Sequence, residues 1–311
     1  MTEPYQRVEK GDRHLAAAQN IPQNHIVARS QSPFSTASYL AAAVQMQSGE
    51  DKGANLATAT RLVEQAAAAG AQLVALPELF NCLGRYETVA AQAETVPGPT
   101  SDAMAALAAR LHITLLAGSI AERDAAVSNA SPDAAVYNTS LLFDPDGRLL
   151  ARYRKIHRFD VDLPGKVVAR ESQWFAAGRD VAPVATSLGT LGVAICYDLR
   201  FPELFRRLSA AAAQVIIVPS AFTLYTGRDH WEVLLRARAI ENQAFVIAPN
   251  QCGRHSPQLT SYGHSAIVDP WGRVLACAPE NGEALVSSAI DLDQLAAIRK
   301  HLPALTHRRD W

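Results

Sequence analysis

Neither sign of charge is in surplus: 29 lysines and arginines stand against 30 aspartates and glutamates. The basic excess that usually marks a nucleic-acid or membrane-surface partner is therefore missing. Cysteine is scarce. Cys82, Cys196, Cys252 and Cys277 are scattered along 311 residues and fit no disulfide framework, so a reducing, cytoplasmic setting fits best. No apolar run reaches the roughly 18 residues of a membrane span. There is no phosphate-cradling glycine loop and no dinucleotide fingerprint. Cys252 and His255 have the spacing of half a zinc site but lack a second pair, which argues against a bound metal. What is present is a globular composition, 49% hydrophobic and 19% charged, long enough for one large domain or two modest ones.

Residues 1–38 differ from the rest. They mix polar residues with little periodicity and have no apolar core for a secretory signal, while Glu3, Glu9 and Asp12 argue against a transit peptide. A mobile leader is expected there, ahead of one domain over 39–311.

From Tyr39 onward, strands and helices alternate. Tyr39 to Met46 reads as a strand, Asn55 to Ala69 as a helix stopped by Gly70, and Leu73 to Glu78 as a buried strand ending in proline. Pro97-Gly98-Pro99 is a turn, with Thr100 or Ser101 placed to cap a helix through Leu111. Ile113 to Ile120 is a further strand, followed by a loop near 124–135. Gln214 to Ser220 and Phe245 to Asn250 read as strands, His230 to Gln243 and Asp291 to His301 as helices. Two segments echo each other: Leu141 to Ala151 and Ala266 to Ala276 both run strand, Asp-Pro-x-Gly turn, strand. Turn chemistry alone enforces much of that match, yet two such hairpins also fit two similar sheets facing each other. The alternation argues an α/β fold, in which ligands lie beyond the carboxyl ends of strands. Glu78, Cys196 and Ser220 fall at such ends.

Cys196 closes the apolar run Leu191 to Ile195, and Pro202 then opens a helix. A thiol at that corner meets converging backbone N–H groups, which favour a thiolate and can hold an oxyanion. A buried cysteine that merely packs is the alternative. Period two puts Leu149, Ala151, Tyr153 and Lys155 on one face, with Arg152 and Arg154 on the other. Lys155 then either pairs with a carboxylate such as Glu78 or snorkels to water. Thiol-based amide cleavage needs a base, for which Glu78 is a candidate. It also needs oxyanion donors, which Lys155 and the backbone N–H of Tyr197 can supply. A nucleophile elbow of the α/β-hydrolase kind fits less well, because Ala194 and Asp198 occupy its glycine positions. His157, His230 and His264 remain alternative bases.

Three separated motifs, in order, carry a resemblance: Leu76-Pro77-Glu78, Tyr153-Arg154-Lys155-Ile156-His157, and Ile195-Cys196-Tyr197-Asp198-Leu199-Arg200-Phe201-Pro202-Glu203. From about Tyr39 to its C-terminus the chain resembles the nitrilase (carbon–nitrogen hydrolase) superfamily. That resemblance implies a four-layer α-β-β-α sandwich, a Glu-Lys-Cys site without cofactor or metal, and homodimers paired across helices near the nucleophile. It implies Glu78 as general base, Lys155 as oxyanion stabiliser, Cys196 as nucleophile, and Glu171 as a second glutamate that positions or assists the site.

Phe159 to Lys166, Pro219-Ser220-Ala221-Phe222 and His230-Trp231-Glu232 resemble the branch that holds deaminated-glutathione amidases and ω-amidases. Gln251 to His255 and Ser261 to Ser265 lean toward the former, the Phe159-to-Lys166 loop toward the latter. The branch implies that Arg200 binds a substrate carboxylate, a task suited to a guanidinium fork, unless it pairs with Asp198 or Glu203 instead. It implies that Phe222 and Thr226 line the keto-acid arm. The expected activity is a cysteine-dependent amidase acting on a small-molecule 2-oxo-acid amide, most readily deaminated glutathione, with 2-oxoglutaramate as the rival. A true nitrilase, an N-carbamoyl hydrolase and a non-catalytic binding module on the same scaffold are the competing readings. Gly227-Arg228-Asp229 departs from the Gly-Pro-Ala usual in relatives and puts two charges at the expected pocket rim.

Overall fold

The computed structural model describes residues 38–124, 135–257 and 259–309. The leader expected over 1–38 and the loop near 124–135 lie outside them, apart from their boundary residues. In chain order the first half runs β1 (Ser38–Gln45), α1 (Lys52–Ala68), β2 (Leu73–Ala75), α2 (Tyr86–Ala91), α3 (Pro99–Leu111), β3 (Thr114–Leu116), β4 (Ile120–Arg123), β5 (Val136–Phe143) and β6 (Leu149–Arg154). A hairpin of β7 (Asp160–Leu163) and β8 (Val167–Arg170) follows. The second half runs β9 (Val184–Thr186), β10 (Gly189–Val193), α4 (Pro202–Ala210), β11 (Val215–Ile217), α5 (Leu224–Asn242), β12 (Phe245–Ala248), β13 (Cys252–Ser256), β14 (Leu259–Tyr262), β15 (Ala266–Val268), β16 (Val274–Cys277), β17 (Ala284–Asp291) and α6 (Leu292–His301).

Strand alternation sorts the first sheet into two cores. Ala41, Ala43, Leu73, Ala75, Leu116 and Leu142 face a cluster shared with the second sheet. Their neighbours Ala42, Val44, Val74, Leu115 and Leu141 face the other way, onto Leu62, Val63, Met104 and Leu107 of α1 and α3. On the far side of the second sheet, Leu204, Phe205, Trp231, Leu235 and Ala239 of α4 and α5 complete the sequence helix, sheet, sheet, helix. This is the expected four-layer sandwich.

The two sheets are built alike. In one, β1, β2 and β3 are parallel, β5 and β6 form a hairpin beside β3, and β17 flanks β1 antiparallel. In the other, β10, β11 and β12 are parallel, β15 and β16 form a hairpin beside β12, and β9 flanks β10 antiparallel. The two echoing segments are those hairpins. Their turns are held identically: Asp144 Oδ1 accepts from the N–H of Asp146 and Arg148, and Asp269 Oδ1 from Trp271 and Arg273.

Several boundaries move. The helix expected from Asn55 starts at Lys52, because Asp51 caps it by accepting from Ala54 N–H at 3.0 Å. At α3 the cap is Gly98 rather than Thr100 or Ser101, and Ser101 Oγ accepts from Gly98 N–H at 2.8 Å. α5 begins six residues before His230. Gly227 conceals its first turn in the sequence, yet only glycine fits there, since a Cβ would stand 2.4 Å from the Tyr262 ring. The strand expected over Ile113–Ile120 is two strands, β3 and β4, broken around Gly118.

Candidate active site

That break shapes the first corner of the site. Gly118 adopts φ +39°, and a Cβ there would stand 2.0 Å from the Pro77 carbonyl oxygen. Glycine lets the link between β3 and β4 pass against the chain just before Glu78. Ser119 Oγ then accepts from Leu79 N–H at 2.9 Å, pinning the residue after it.

Lys155 is delivered by a bulge. Phe143 pairs with Leu149 but Leu142 with Ala151, so Leu150 is an extra residue in β6. Beyond the bulge, Ala151, Tyr153 and Lys155 share the inner face as expected, whereas Leu149, before it, is exposed. Arg152 and Arg154 turn to Glu122 at 3.1 and 2.7 Å. The shifted register sets Lys155 N–H on the Asn138 carbonyl at 2.8 Å.

Cys196 lies just past β10 and opens a short turn of 3₁₀ helix, Cys196–Arg200, with φ +45°. A non-glycine residue in that region stores strain, a pattern common at functional positions. Its backbone N–H donates to Pro219 O at 3.0 Å. Asp198, fully buried, ties the turn down: Oδ2 accepts from Ile195 N–H at 2.9 Å, and Oδ1 from His157 N–H at 2.9 Å.

The three groups meet. Glu78, Lys155 and Cys196 are 4%, 3% and 8% exposed. Lys155 Nζ donates to Glu78 Oε1 at 2.8 Å and to Glu171 Oε2 at 2.9 Å. Asn138 Nδ2 also donates to Glu78 Oε1, at 2.8 Å, and Glu78 Oε2 accepts from Ala221 N–H at 2.8 Å. Lys155 is therefore paired, not snorkelling.

Electrostatics follow from burial. Burial alone would lower the Lys155 pKa, but Glu171 and Glu78 outweigh it and hold it well above the usual lysine range. For Glu171, burial raises the pKa, Lys155 pulls it down and Glu78 pushes it up again, leaving it above the ordinary value. Burial, then the Glu78 charge, pushes the Cys196 thiol well up. The corner was expected to favour a thiolate; instead, desolvation and the Glu78 charge outweigh the Lys155 charge and the Ala221 N–H, and the sulfur is held protonated.

A cavity of about 510 Å³ opens onto Cys196. Glu78, Lys155, Tyr197, Arg200, Phe222 and Thr226 all line it, while Glu171 stands behind Lys155. The Arg200 guanidinium lies 5.0 Å from the Phe222 ring centre and 3.1 Å from His230 Nδ1, and makes no ion pair among the described residues. Asp198, its possible partner, is taken by His157 Nδ1 at 2.7 Å. Thr226 Oγ1 meets Thr223 Oγ1 at 2.9 Å.

The alternatives separate. His157 stacks on Phe201, His264 stacks on Tyr262, and His230 bonds Arg200; none of the three lines the cavity. Cys252 turns to Gly282 O, and His255 Nδ1 to Ser48 O, so the two do not converge on a metal. Of the two rim charges expected, Arg228 lines the cavity and Asp229 faces solvent.

Sequence reasoning missed Asn138, which bridges both glutamates, its contact to Glu171 Oε1 being 3.3 Å. It also missed Asp198 and the β7–β8 hairpin, which gives Lys166, Val167, Val168 and Ala169 to the cavity wall. The hairpin register was the available signal for Asn138. A plain two-strand count from the Asp144 turn places Arg154 opposite it, one residue short of Lys155.

A profile described as carbon-nitrogen hydrolase matches residues 40–300. The chain belongs to the carbon–nitrogen hydrolase family. This hydrolase is 44% identical over 272 residues to a deaminated glutathione amidase of Synechocystis, spanning 87% of the chain and 98% of that relative. It is 39% identical over 272 residues to human omega-amidase NIT2, spanning 88% of the chain and 95% of that relative. Among solved structures, Saccharomyces cerevisiae Nit3, a member of branch 10 of the nitrilase superfamily, superposes with a TM-score of 0.79 at 32% identity. It covers 90% of this chain and 100% of its own. No helix among the described residues of the hydrolase is long and apolar enough to cross a membrane.

Proposed function

We propose that this hydrolase is a cysteine-dependent amidase that cleaves the amide of a 2-oxo acid, deaminated glutathione first. One observation carries the reading: Glu78, Lys155 and Cys196 converge on one cavity whose wall presents Arg200 without an ion-pair partner among the described residues. Glu78 takes the Cys196 proton as sulfur attacks the amide carbonyl. Lys155 and the Tyr197 N–H hold the tetrahedral oxyanion. Collapse expels the amine, protonated by Glu78, and leaves a thioester on Cys196. Glu78 then draws a proton from water, which hydrolyses the thioester to the free acid and restores the thiol. Glu171 holds Lys155 from behind. Arg200 takes the carboxylate beside the keto group, and Phe222 and Thr226 line that arm.

Deaminated glutathione and 2-oxoglutaramate contain the same 2-oxoglutaryl group, so both load Cys196 with the same thioester. They differ in the amine that leaves, cysteinylglycine or ammonia. A cavity of about 510 Å³ falls in the range that takes drug-sized ligands, with space beyond a five-carbon acid, and this favours the larger amide. The ω-amidase reading draws on the β7–β8 hairpin, whose Phe159-to-Lys166 stretch borders the cavity. The same proposal includes a cytoplasmic homodimer working without cofactor or nucleic-acid partner, and a leader ahead of the catalytic domain.

Release of 2-oxoglutarate from each amide, measured beside a nitrile and an N-carbamoyl substrate, tests the reading. Higher kcat/KM for deaminated glutathione is expected. A clear preference for 2-oxoglutaramate overturns the substrate choice, and faster nitrile conversion overturns the amidase assignment.

A further inference from the structure

The charges around the cavity are lopsided. Apart from Glu78 and Lys155, the charged residues among its described lining are Arg85, Lys166, Arg200 and Arg228, all cationic. The whole chain carries a formal charge of -1, so this is a local concentration and not a general basic surface.

The cations stand at two depths. Arg200 is half-buried, four residues past the nucleophile, beside the Phe222 ring. Lys166 and Arg228 are exposed. Lys166 Nζ lies 5.1 Å from the centre of the Tyr225 ring, which itself lines the cavity and is 47% exposed. Tyr225 and Arg228 are three residues apart on α5 and so share a face. Phe222 with Arg200, then Tyr225 with Lys166, form two successive cation–aromatic steps leading outward, and Arg228 stands one helical turn beyond Tyr225 on the cavity wall. Arg228 does meet Glu280 at 3.5 Å, but Arg228 is exposed and Glu280 half-buried at the surface, and such a pair is weak enough to exchange for a ligand.

We infer that Lys166, over the Tyr225 ring, and Arg228, one turn further along α5, form a second anion subsite at the cavity mouth for a carboxylate on the leaving-amine side of the substrate. The inference rests on the amidase reading above and sharpens it. Deaminated glutathione carries two carboxylates, one beside the keto group and one at its glycine end, whereas 2-oxoglutaramate has only the first. Arg200 meets a group common to both amides. The mouth cations meet a group that only the longer one possesses, so they discriminate by charge where the acyl pocket cannot.

The test compares kcat/KM for the two amides in wild type, Arg228→Glu, Lys166→Glu and Arg228→Lys, at low and at physiological ionic strength. Each charge reversal is expected to lower kcat/KM for deaminated glutathione about fivefold more than for 2-oxoglutaramate, while Arg228→Lys keeps the wild-type ratio. In the wild type, added salt is expected to depress the dianion's kcat/KM more steeply than the monoanion's. A ratio unmoved by both reversal and salt overturns the inference and leaves the amidase reading standing. Should a reversed variant fail to fold, the wild-type salt comparison decides alone. A wild type that cleaves neither amide removes the amidase reading and this inference with it.

Discussion

The Tyr153 hydroxyl donates to Asp198 Oδ2 at 2.6 Å, joining the strand end that carries Lys155 to the turn that carries Cys196. Asp198 also accepts from His157, on the other side of Lys155, and from Ile195, next to Cys196. It does not line the cavity, so its expected part in the proposed reaction is to fix where two groups stand. Asp198→Ala is expected to cut kcat by about 100-fold or more, the usual cost of misplaced reacting groups. Tyr153→Phe is expected to cost about 1 kcal/mol of stability and to lower kcat with little change in KM. Steady-state kinetics beside thermal melts check both, and full kcat in a folded Asp198→Ala enzyme contradicts the positioning role.

Removing Lys155 is expected to do more than take away the proposed oxyanion donor. It leaves Glu78 and Glu171 buried together without their shared cation. Lys155→Ala is expected to lose about 3–5 kcal/mol of stability along with turnover, whereas Cys196→Ala loses turnover and stays folded. Denaturant titrations of both variants check the difference. Equal stability for the two contradicts the ion-pair network.

The Cys196 thiol makes a pH prediction. Burial and the Glu78 charge raise its pKa, so the thiolate fraction of the resting enzyme is small at neutral pH. Alkylation of Cys196 is expected to be slow there and to climb well past the ordinary thiol range near about 8.5. Glu78→Gln removes a negative charge and is expected to move the curve to lower pH. Labelling that reaches its plateau below neutrality contradicts the electrostatics described.

Away from the site, Glu94 anchors α3. It accepts from Thr100 N–H and Oγ1, both at 2.8 Å, and from the Lys52 ammonium. Burial opposes its charge, but Lys52 and Thr100 prevail and hold its pKa below the usual value. A depressed carboxyl contributes stability above its unfolded pKa and loses it as pH falls through the folded one. Glu94→Gln is expected to cost about 1 kcal/mol at neutral pH, and the gap to wild type is expected to close below about pH 4. Chemical denaturation across pH checks this.

Much of the architecture was legible because two-residue alternation and turn chemistry are local. Ala151, Tyr153 and Lys155 against Arg152 and Arg154, and the paired Asp-Pro-x-Gly turns, needed no distant information. The residues that converge on the cavity were legible as motifs at strand ends. What was hidden depends on contacts far apart in the chain. Gly118 interrupts a strand to let the chain pass Pro77, Gly227 lets α5 approach Tyr262, and the Leu150 bulge alone decides that Asn138 faces Lys155 and not Arg154. Asp198 looked like a polar turn residue until its contacts from Tyr153, His157 and Ile195 were in place. The thiol's protonation was misjudged for a related reason: sequence shows a corner but not how dry it is.

The most direct measurement is mass spectrometry of the enzyme quenched during turnover of each amide in turn. A 2-oxoglutaryl adduct on Cys196, the same from deaminated glutathione and from 2-oxoglutaramate and absent in Cys196→Ala, is the predicted result. Steady turnover with no acyl group on Cys196, or undiminished turnover by folded Cys196→Ala, contradicts the thioester mechanism outright.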